Sequence, residues 1–443
     1  MEYLIIAAQL ITSLALLVVL HEFGHYIPAK LFKTRIEKFY LFFDPGFALF
    51  KKKIGETEWG IGWLPLGGYV KIAGMVDESM DKEQMSKPAQ PWEFRSKPAW
   101  QRLIIMLGGV TVNFVLGLFI YAMILFTWGR SYSTPETAEK FGMHVADPQL
   151  KQYGLEDGDI PVKVGDRQVD NLAKIFAYIV IDGERTITVK RDGQLVDIEL
   201  PANFDQIVLK NEFNQLYNLR IPVVVNQTSP NSGAEMAGLK EGDSIVTING
   251  ESTLYFDQFQ AAIKSNKSQT VAIGLIREGQ EMTLDAKVDS MGIVGVAPFS
   301  PARYNLKYEN EEFGFFEAFP AGISYGIDVV KNYAKSLGLV FTKEGAKSVG
   351  GFGSMSKIFA PQWDWFTFWN ATALLSLILA FMNILPIPAL DGGHVVFLLY
   401  EIVSGRQPSQ KVLEVAHCTK AGRWRDMSEA NFICTTVKFS KKF

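Results

Sequence analysis

The stretch Leu16-Leu17-Val18-Val19-Leu20-His21-Glu22-Phe23-Gly24-His25 closes an apolar run that begins at Leu4, and its reading decides the fold. A run of this length and character predicts a membrane-spanning helix. On a helix His21 and His25 share one face, where two imidazoles can close on a single zinc ion, and Glu22 projects beside them to handle a proton. The pattern therefore places a metal-dependent proteolytic centre inside a membrane. The plainer alternative is a helix end that carries two interfacial histidines.

Working outward, two more apolar stretches are long enough to span a bilayer, Leu103 to Trp128 and about Phe366 to Leu385. The first run lacks a basic segment before it and a small-residue cleavage site before His21, so it is expected to stay attached rather than act as a signal peptide. Between the first two spans lie Lys30, Lys33, Arg35, Lys38, Lys51, Lys52 and Lys53, then Arg95, Lys97 and Arg102. Positive charge marks the cytoplasmic side, which predicts an outer N-terminus and an outer location for Gly129 to Asp364. With 48% hydrophobic and 21% charged residues and a net charge of -3, the 443-residue chain reads as a membrane protein with large soluble parts, and nothing in it suggests nucleic acid. Its only cysteines, Cys418 and Cys434, exclude a disulfide framework in the middle of the chain.

The outer stretch repeats itself. Gly154-Leu155-Glu156-Asp157-Gly158-Asp159, followed by Val162, Val164 and Gly165, is echoed by Gly238-Leu239-Lys240-Glu241-Gly242-Asp243, followed by Val246, Ile248 and Gly250. Two copies of one small fold are expected. The second copy, from Ser229-Pro230 through Asn249-Gly250, resembles the PDZ domain, a β fold that accepts an extended peptide by strand addition, although such repeats can also serve as spacers. Beyond them, Ile323, Ile327, Val330, Ala334, Leu337 and Phe341 draw an apolar stripe along a helix, with Phe313, Phe315, Phe316 and Phe319 before it. That helix suits the outer membrane interface or, equally, a position against the second repeat.

Zinc needs a third protein ligand. Asn383-Ile384-Leu385-Pro386-Ile387-Pro388-Ala389-Leu390-Asp391-Gly392-Gly393 interrupts the third apolar run with two prolines and then an acid. The prolines free backbone carbonyls at membrane depth, tolerated only beside a polar cavity or other protein. An acid there is costly unless paired or coordinated. Asp391 can alternatively cap a following helix, Gly393 to Val403, and His394 competes with it as ligand. His144 and His417 read as incidental.

These motifs, with the repeat pair between them, resemble the site-2 protease family of intramembrane zinc metalloproteases, and within it the bacterial branch that regulates sigma-E. Pro65-Leu66-Gly67-Gly68-Tyr69-Val70 resembles the family's membrane-reentrant β loop, and Gly108-Gly109-Val110 with Asn113-Phe114 its second-span motif. The resemblance covers about Met1 to Ala416. It implies a multi-pass α-helical membrane protein with a membrane-reentrant β loop and two inserted PDZ-like β domains on the outer side of the bacterial inner membrane. It further implies one Zn2+ per chain on His21, His25 and Asp391, with Glu22 as general base and later acid.

For substrate binding, Gly67, Gly68 and Tyr69 would offer an edge strand, and Asn383, Pro386 and Pro388 would supply polar partners for an unwound helix. Gly67 and Gly68 can also be a tight turn, and Asn383 a helix-to-helix hydrogen bond. The implied partners are the lipid bilayer and single-span membrane proteins, such as a pre-cleaved anti-sigma factor and signal peptide remnants. The zinc would lie towards the cytoplasmic side, and the repeats would restrict substrate entry.

The resulting division is 1–128 for two spans with the His-Glu-x-x-His centre and the loop between them, 129–220 and 221–310 for the PDZ-like domains, 311–362 for the amphipathic interfacial segment, 363–416 for the third span with its Asn-x-x-Pro-x-Pro-x-Leu-Asp-Gly-Gly motif, and 417–443 for a polar tail. That tail departs from the family, which has a fourth span there. A second reading follows from the departure: a catalytically inactive, membrane-anchored PDZ adaptor.

Overall fold

The computed structural model describes residues 2–65, 67–75, 88–304, 306–340, 342, 355–356, 358–387 and 390–406. Pro388 and the tail from His417 onward, with both cysteines, lie outside the described residues. The chain divides into two units, Met1–Gly129 with Glu312–Phe443, and Arg130–Glu311.

Among the described residues the first unit has five long helices: α1 (Glu2–Leu31), α2 (Ala99–Trp128), α3 (Phe315–Val340), α4 (Trp365–Ile384) and α5 (Asp391–Ser404). Of these, α1, α2 and α4 are long and apolar enough to cross a membrane, as the three apolar runs predict. Helix α4 starts where Asp364 accepts a hydrogen bond from the Thr367 amide at 2.7 Å. It stops at Ile384, because Leu385 is extended ahead of Pro386.

Helices α1 and α2 touch backbone to backbone, since a Cβ on Gly24 would come within 2.7 Å of the Gly109 Cα. In hydrocarbon, where apolar burial drives no association, such close packing and interhelical hydrogen bonds hold helices together. The Ser376 hydroxyl accordingly donates to the Asn113 carbonyl at 2.7 Å, the Ser13 and Thr372 hydroxyls lie 3.0 Å apart, and the Gln9 amide donates to the Ala360 carbonyl at 2.8 Å.

Helix α3 departs from expectation. It runs antiparallel along α2, with Phe315 against Phe126 and Tyr325 against Tyr121. Its buried stripe is Ala318, Gly322 and Gly326, while Ile323 and Ile327 of the anticipated apolar stripe are 41% and 36% exposed. Small residues at four-residue spacing let two helices approach closely, and that contact outweighs the larger apolar side chains.

Between α1 and α2 lies a four-stranded sheet of β1 (Ile36–Leu41), β2 (Phe43–Ile54), β3 (Thr57–Leu64) and β4 (Tyr69–Ile72), in the order β2-β3-β1-β4. Phe23 of α1 packs at a tilt against Phe39 of β1, which stacks on Trp59 of β3, and these rings fasten the sheet to the helix. Among the described residues β4 pairs only with β1, so its outer edge is unpaired.

The second unit contains two copies of one topology. A sheet of Gln194–Glu199, Thr186–Arg191, Ile160–Val164 and Arg167–Gln168 recurs as Gln280–Lys287, Thr270–Arg277, Ser244–Ile248 and Glu251–Ser252, in the same spatial order. The repeated Gly-Asp pair has a structural cause. Gly158 and Gly242 adopt left-handed backbone angles (φ 102° and 91°), which turns the next aspartate inward. Asp159 then pairs with Arg191, and Asp243 with Arg277, each at 2.7 Å, and each arginine also donates to the carbonyl of the motif's first glycine at 2.8 Å.

Burial pushes the Asp243 carboxyl up, but Arg277 and the Lys240 amide outweigh this and hold it below the usual carboxylate range. A depressed folded-state pKa stabilises above the unfolded value, about 3.9, and that contribution is lost as pH falls through the folded value. Hydrogen-exchange protection of Ser244–Ile248 and Thr270–Arg277 should therefore drop below about pH 4. Asp243→Ala should cost about 3 kcal/mol at neutral pH, seen as roughly a hundredfold loss of protection in the same strands.

Candidate metal centre

The two histidines sit on the buried face of α1, one turn apart, and meet an acid carried by a different helix. His21 Nε2 lies 3.2 Å from His25 Nε2 and 3.2 Å from Asp391 Oδ2, and His25 Nε2 lies 3.4 Å from the same oxygen. A regular tetrahedron whose centre is 2.0 to 2.1 Å from each vertex has edges of about 3.3 to 3.4 Å. The three measured distances match one face of it. Asp391 Oδ2 is moreover fully buried without a hydrogen-bond partner, as an oxygen reserved for a cation would be. The donor set therefore fits one divalent ion of zinc's size. Of the two nearby candidates for third donor, Asp391 joins this group and His394 does not.

Asp391 also settles the capping alternative. The helix begins at Asp391 itself, two residues ahead of the anticipated Gly393, with Leu390 at the cap position and no side-chain cap. The carboxylate is thus free to face the imidazoles. Gly392 permits the fold-back that aims it, because a Cβ there would come within 2.6 Å of the Ile384 carbonyl carbon.

Ring orientation comes from α2. His25 Nδ1 lies 2.8 Å from the Ile105 carbonyl, so that nitrogen carries the proton and Nε2 keeps its lone pair. Gly109, one turn further along α2, leaves room for both rings: a Cβ there would sit 2.5 Å from His25 Nε2 and 2.8 Å from His21 Nε2. Sequence reading quoted Gly109 without giving it this role and passed over Ile105. Their four-residue spacing with Asn113, matched to that of the histidines, was the available signal.

Glu22 lies half-buried beside the pair, next to the Val70 backbone of β4. Gly68 packs closely on α1, since a Cβ there would be 2.8 Å from Val18 Cγ1, so the Gly67-Gly68 segment runs beside the histidine turn. The Tyr69 hydroxyl turns away to Asp44 at 3.0 Å. Asn383 is brought to the centre, its amide nitrogen 3.5 Å from His21 Nε2, while Pro386 is exposed on the turn between α4 and α5.

A second cluster, His144 with Asp157 and Asp257, joins the two repeats. Its acids are already neutralised, Asp157 by Lys151 at 2.5 Å and Asp257 by Arg220 at 3.2 Å, which makes it an ion-pair network. His144, anticipated as incidental, is part of that junction.

The sequence pattern of peptidase family M50 matches residues 9–421. A Vibrio cholerae protein designated a zinc metalloprotease is 30% identical over 436 residues, covering 92% of this chain and 93% of its own. The regulator of sigma-E protease RseP of Escherichia coli is 28% identical over 443 residues, 93% of each chain. The metalloprotease MmpA of Caulobacter vibrioides is 27% identical over 419 residues, 91% of this chain and 88% of its own.

The close fit at Gly109 gives a direct test of the centre. Gly109→Ala should weaken zinc retention in a chelator competition at least about tenfold, because both imidazoles must move, while circular dichroism keeps its helical signal, alanine being the better helix former. Unchanged retention would mean that the rings do not hold the ion from this side.

Proposed function

The chain belongs to peptidase family M50 and is a zinc metalloendopeptidase of the membrane, and from that premise we propose that His21, His25 and Asp391 hold the metal, that Glu22 moves the proton, and that the bond cut lies in the membrane-spanning segment of a single-span protein. The observation that carries the assignment is the triangle of donors at 3.2, 3.2 and 3.4 Å.

Zinc held there would supply Lewis acidity, making a water more acidic and polarising the scissile carbonyl. The protein's own residues do the rest. Ile105 orients His25 through its Nδ1 proton. The Glu22 carboxylate takes a proton from the attacking water and returns it to the leaving amine. Its contact with the Val70 backbone puts this base next to the unpaired edge of β4. A substrate segment drawn out of its helix can add to that edge as a strand, with backbone hydrogen bonds replacing those it gives up. The Asn383 amide, close to His21 Nε2, is placed to donate to a substrate carbonyl, and the turn at Pro386 leaves carbonyls free for the unwound segment. Pro388 keeps its proposed part in that turn from sequence alone.

The exposed apolar residues Phe47, Leu49, Phe50 and Trp63 of the β2–β3 hairpin support a membrane-reentrant sheet. The shared strand order of the two repeats supports a pair of PDZ-like domains. The basic loop between the first two spans supports a cytoplasmic-side centre, with the N-terminus and both repeats periplasmic. Since relatives in Escherichia coli and Salmonella typhimurium are regulator of sigma-E proteases, the proposed substrates are a pre-cleaved anti-sigma factor and signal peptide remnants, cut in regulated intramembrane proteolysis at the inner membrane.

In detergent, Glu22→Gln should retain one zinc per chain and lose cleavage of a model membrane-helix substrate by at least about a hundredfold. Cleavage that survives this change removes Glu22 from the chemistry, whereas a cellular effect that survives with no cleavage by either form identifies an adaptor. Removing zinc from the wild type should abolish turnover, and adding it back should restore it. Deleting Val223 to Pro298 should admit a substrate that keeps its outer domain; continued dependence on a first cut would count against the repeats as a gate.

A further inference from the structure

Asn113 has no part in the scheme above, yet it is fully buried on α2 against His21. Its amide nitrogen lies 3.3 Å from His21 Nδ1, while its Oδ1 is buried without any partner. The nitrogen and oxygen of an asparagine amide exchange places by a half-turn of the group, and the hydrogen-bond network decides which way it faces. The two orientations select different forms of His21. With the NH2 group facing Nδ1, that nitrogen must be bare and the ring proton sits on Nε2, where no metal can then bind. With Oδ1 facing it, Nδ1 carries the proton and Nε2 keeps its lone pair.

We infer that Asn113 is a positioning residue whose side-chain carbonyl accepts the Nδ1 proton of His21 and so fixes Nε2 towards the ion. This rests on the reading of His21, His25 and Asp391 as ligands. The neighbouring ring supplies the parallel: His25 Nδ1 is held at 2.8 Å by a carbonyl of the same helix, that of Ile105. Helix α2 thus presents a carbonyl acceptor to each imidazole, one from its backbone and one from a side chain, with Gly109 midway between them. The turn that carries Asn113 is anchored independently, because its backbone carbonyl, not its side chain, receives the Ser376 hydroxyl at 2.7 Å. Substituting the side chain leaves that anchor in place.

The test compares full-length wild type, Asn113→Leu, Asn113→Ala and Asn113→Asp in detergent by zinc retention against a competing chelator, with thermal unfolding of the metal-free proteins alongside. Loss of the acceptor in the leucine and alanine variants should weaken zinc binding about 10- to 100-fold. Asn113→Asp, which can accept but not donate, should stay within a few-fold of wild type. The inference is overturned if alanine binds zinc as wild type does. It is equally overturned if aspartate loses as much as alanine, since the amide would then act as donor. A drop in zinc binding that merely follows lower metal-free stability in every variant would assign Asn113 to packing instead. Wild type that holds no zinc sinks the ligand assignment itself, an outcome distinct from all of these.

Discussion

Two imidazole nitrogens and a carboxylate oxygen lie between 3.2 and 3.4 Å from one another in an apolar helix bundle, and this is the constraint on which the rest of the first unit turns. Lone pairs aimed at a common point repel, and a buried carboxylate without a hydrogen bond is expensive, so the arrangement needs a cation at its centre or a cost accepted elsewhere. Each feature around it reduces the freedom of a donor. The Ile105 carbonyl fixes one ring, Gly109 lets α2 come close enough to do so, and Gly392 folds α5 back until Asp391 faces α1.

Helix α2 is the spine of this unit. It meets α1 at Gly24 and Gly108, α4 at Gly117 and Leu377, and α3 at Ala122 and Gly322, each contact made where at least one backbone lacks a bulky side chain. Lipid offers no gain for hiding apolar surface between helices, so tight packing and a few hydroxyl and amide contacts do the holding. The far end of α5 is tied to the same helix by Arg102 and Glu401 at 2.5 Å, largely shielded from solvent. The inward face of α5 therefore runs from Asp391 through Val395 and Leu398 to that pair, and the acid is fixed at one end by its fastening at the other.

The second unit follows the logic of water-soluble folds instead. Each repeat buries an aliphatic core and fastens its Gly-Asp turn with an arginine from a neighbouring strand. His144 lies between Asp157 of the first copy and Asp257 of the second, with Lys151 and Arg220 balancing the charge, which links the copies through ion pairs in addition to the chain itself.

The sequence by itself made legible the membrane helices, the repeat and three candidate donors. These are written in local patterns: apolar runs of bilayer length, a motif recurring with its glycines in register, two histidines a helical turn apart, and an acid after a proline break. It could not determine where α3 packs, because the larger apolar residues Ile323 and Ile327 advertise a face that the structure leaves exposed, while the small residues that make the contact carry almost no hydrophobic signal. Nor could it choose between Asp391 as cap and Asp391 as donor, or find Ile105 and Asn113 behind the rings. Those depend on how three helices distant in sequence cross one another, and a crossing is decided by side-chain volume and hydrogen-bond geometry at contacts that exist only once the chain has folded.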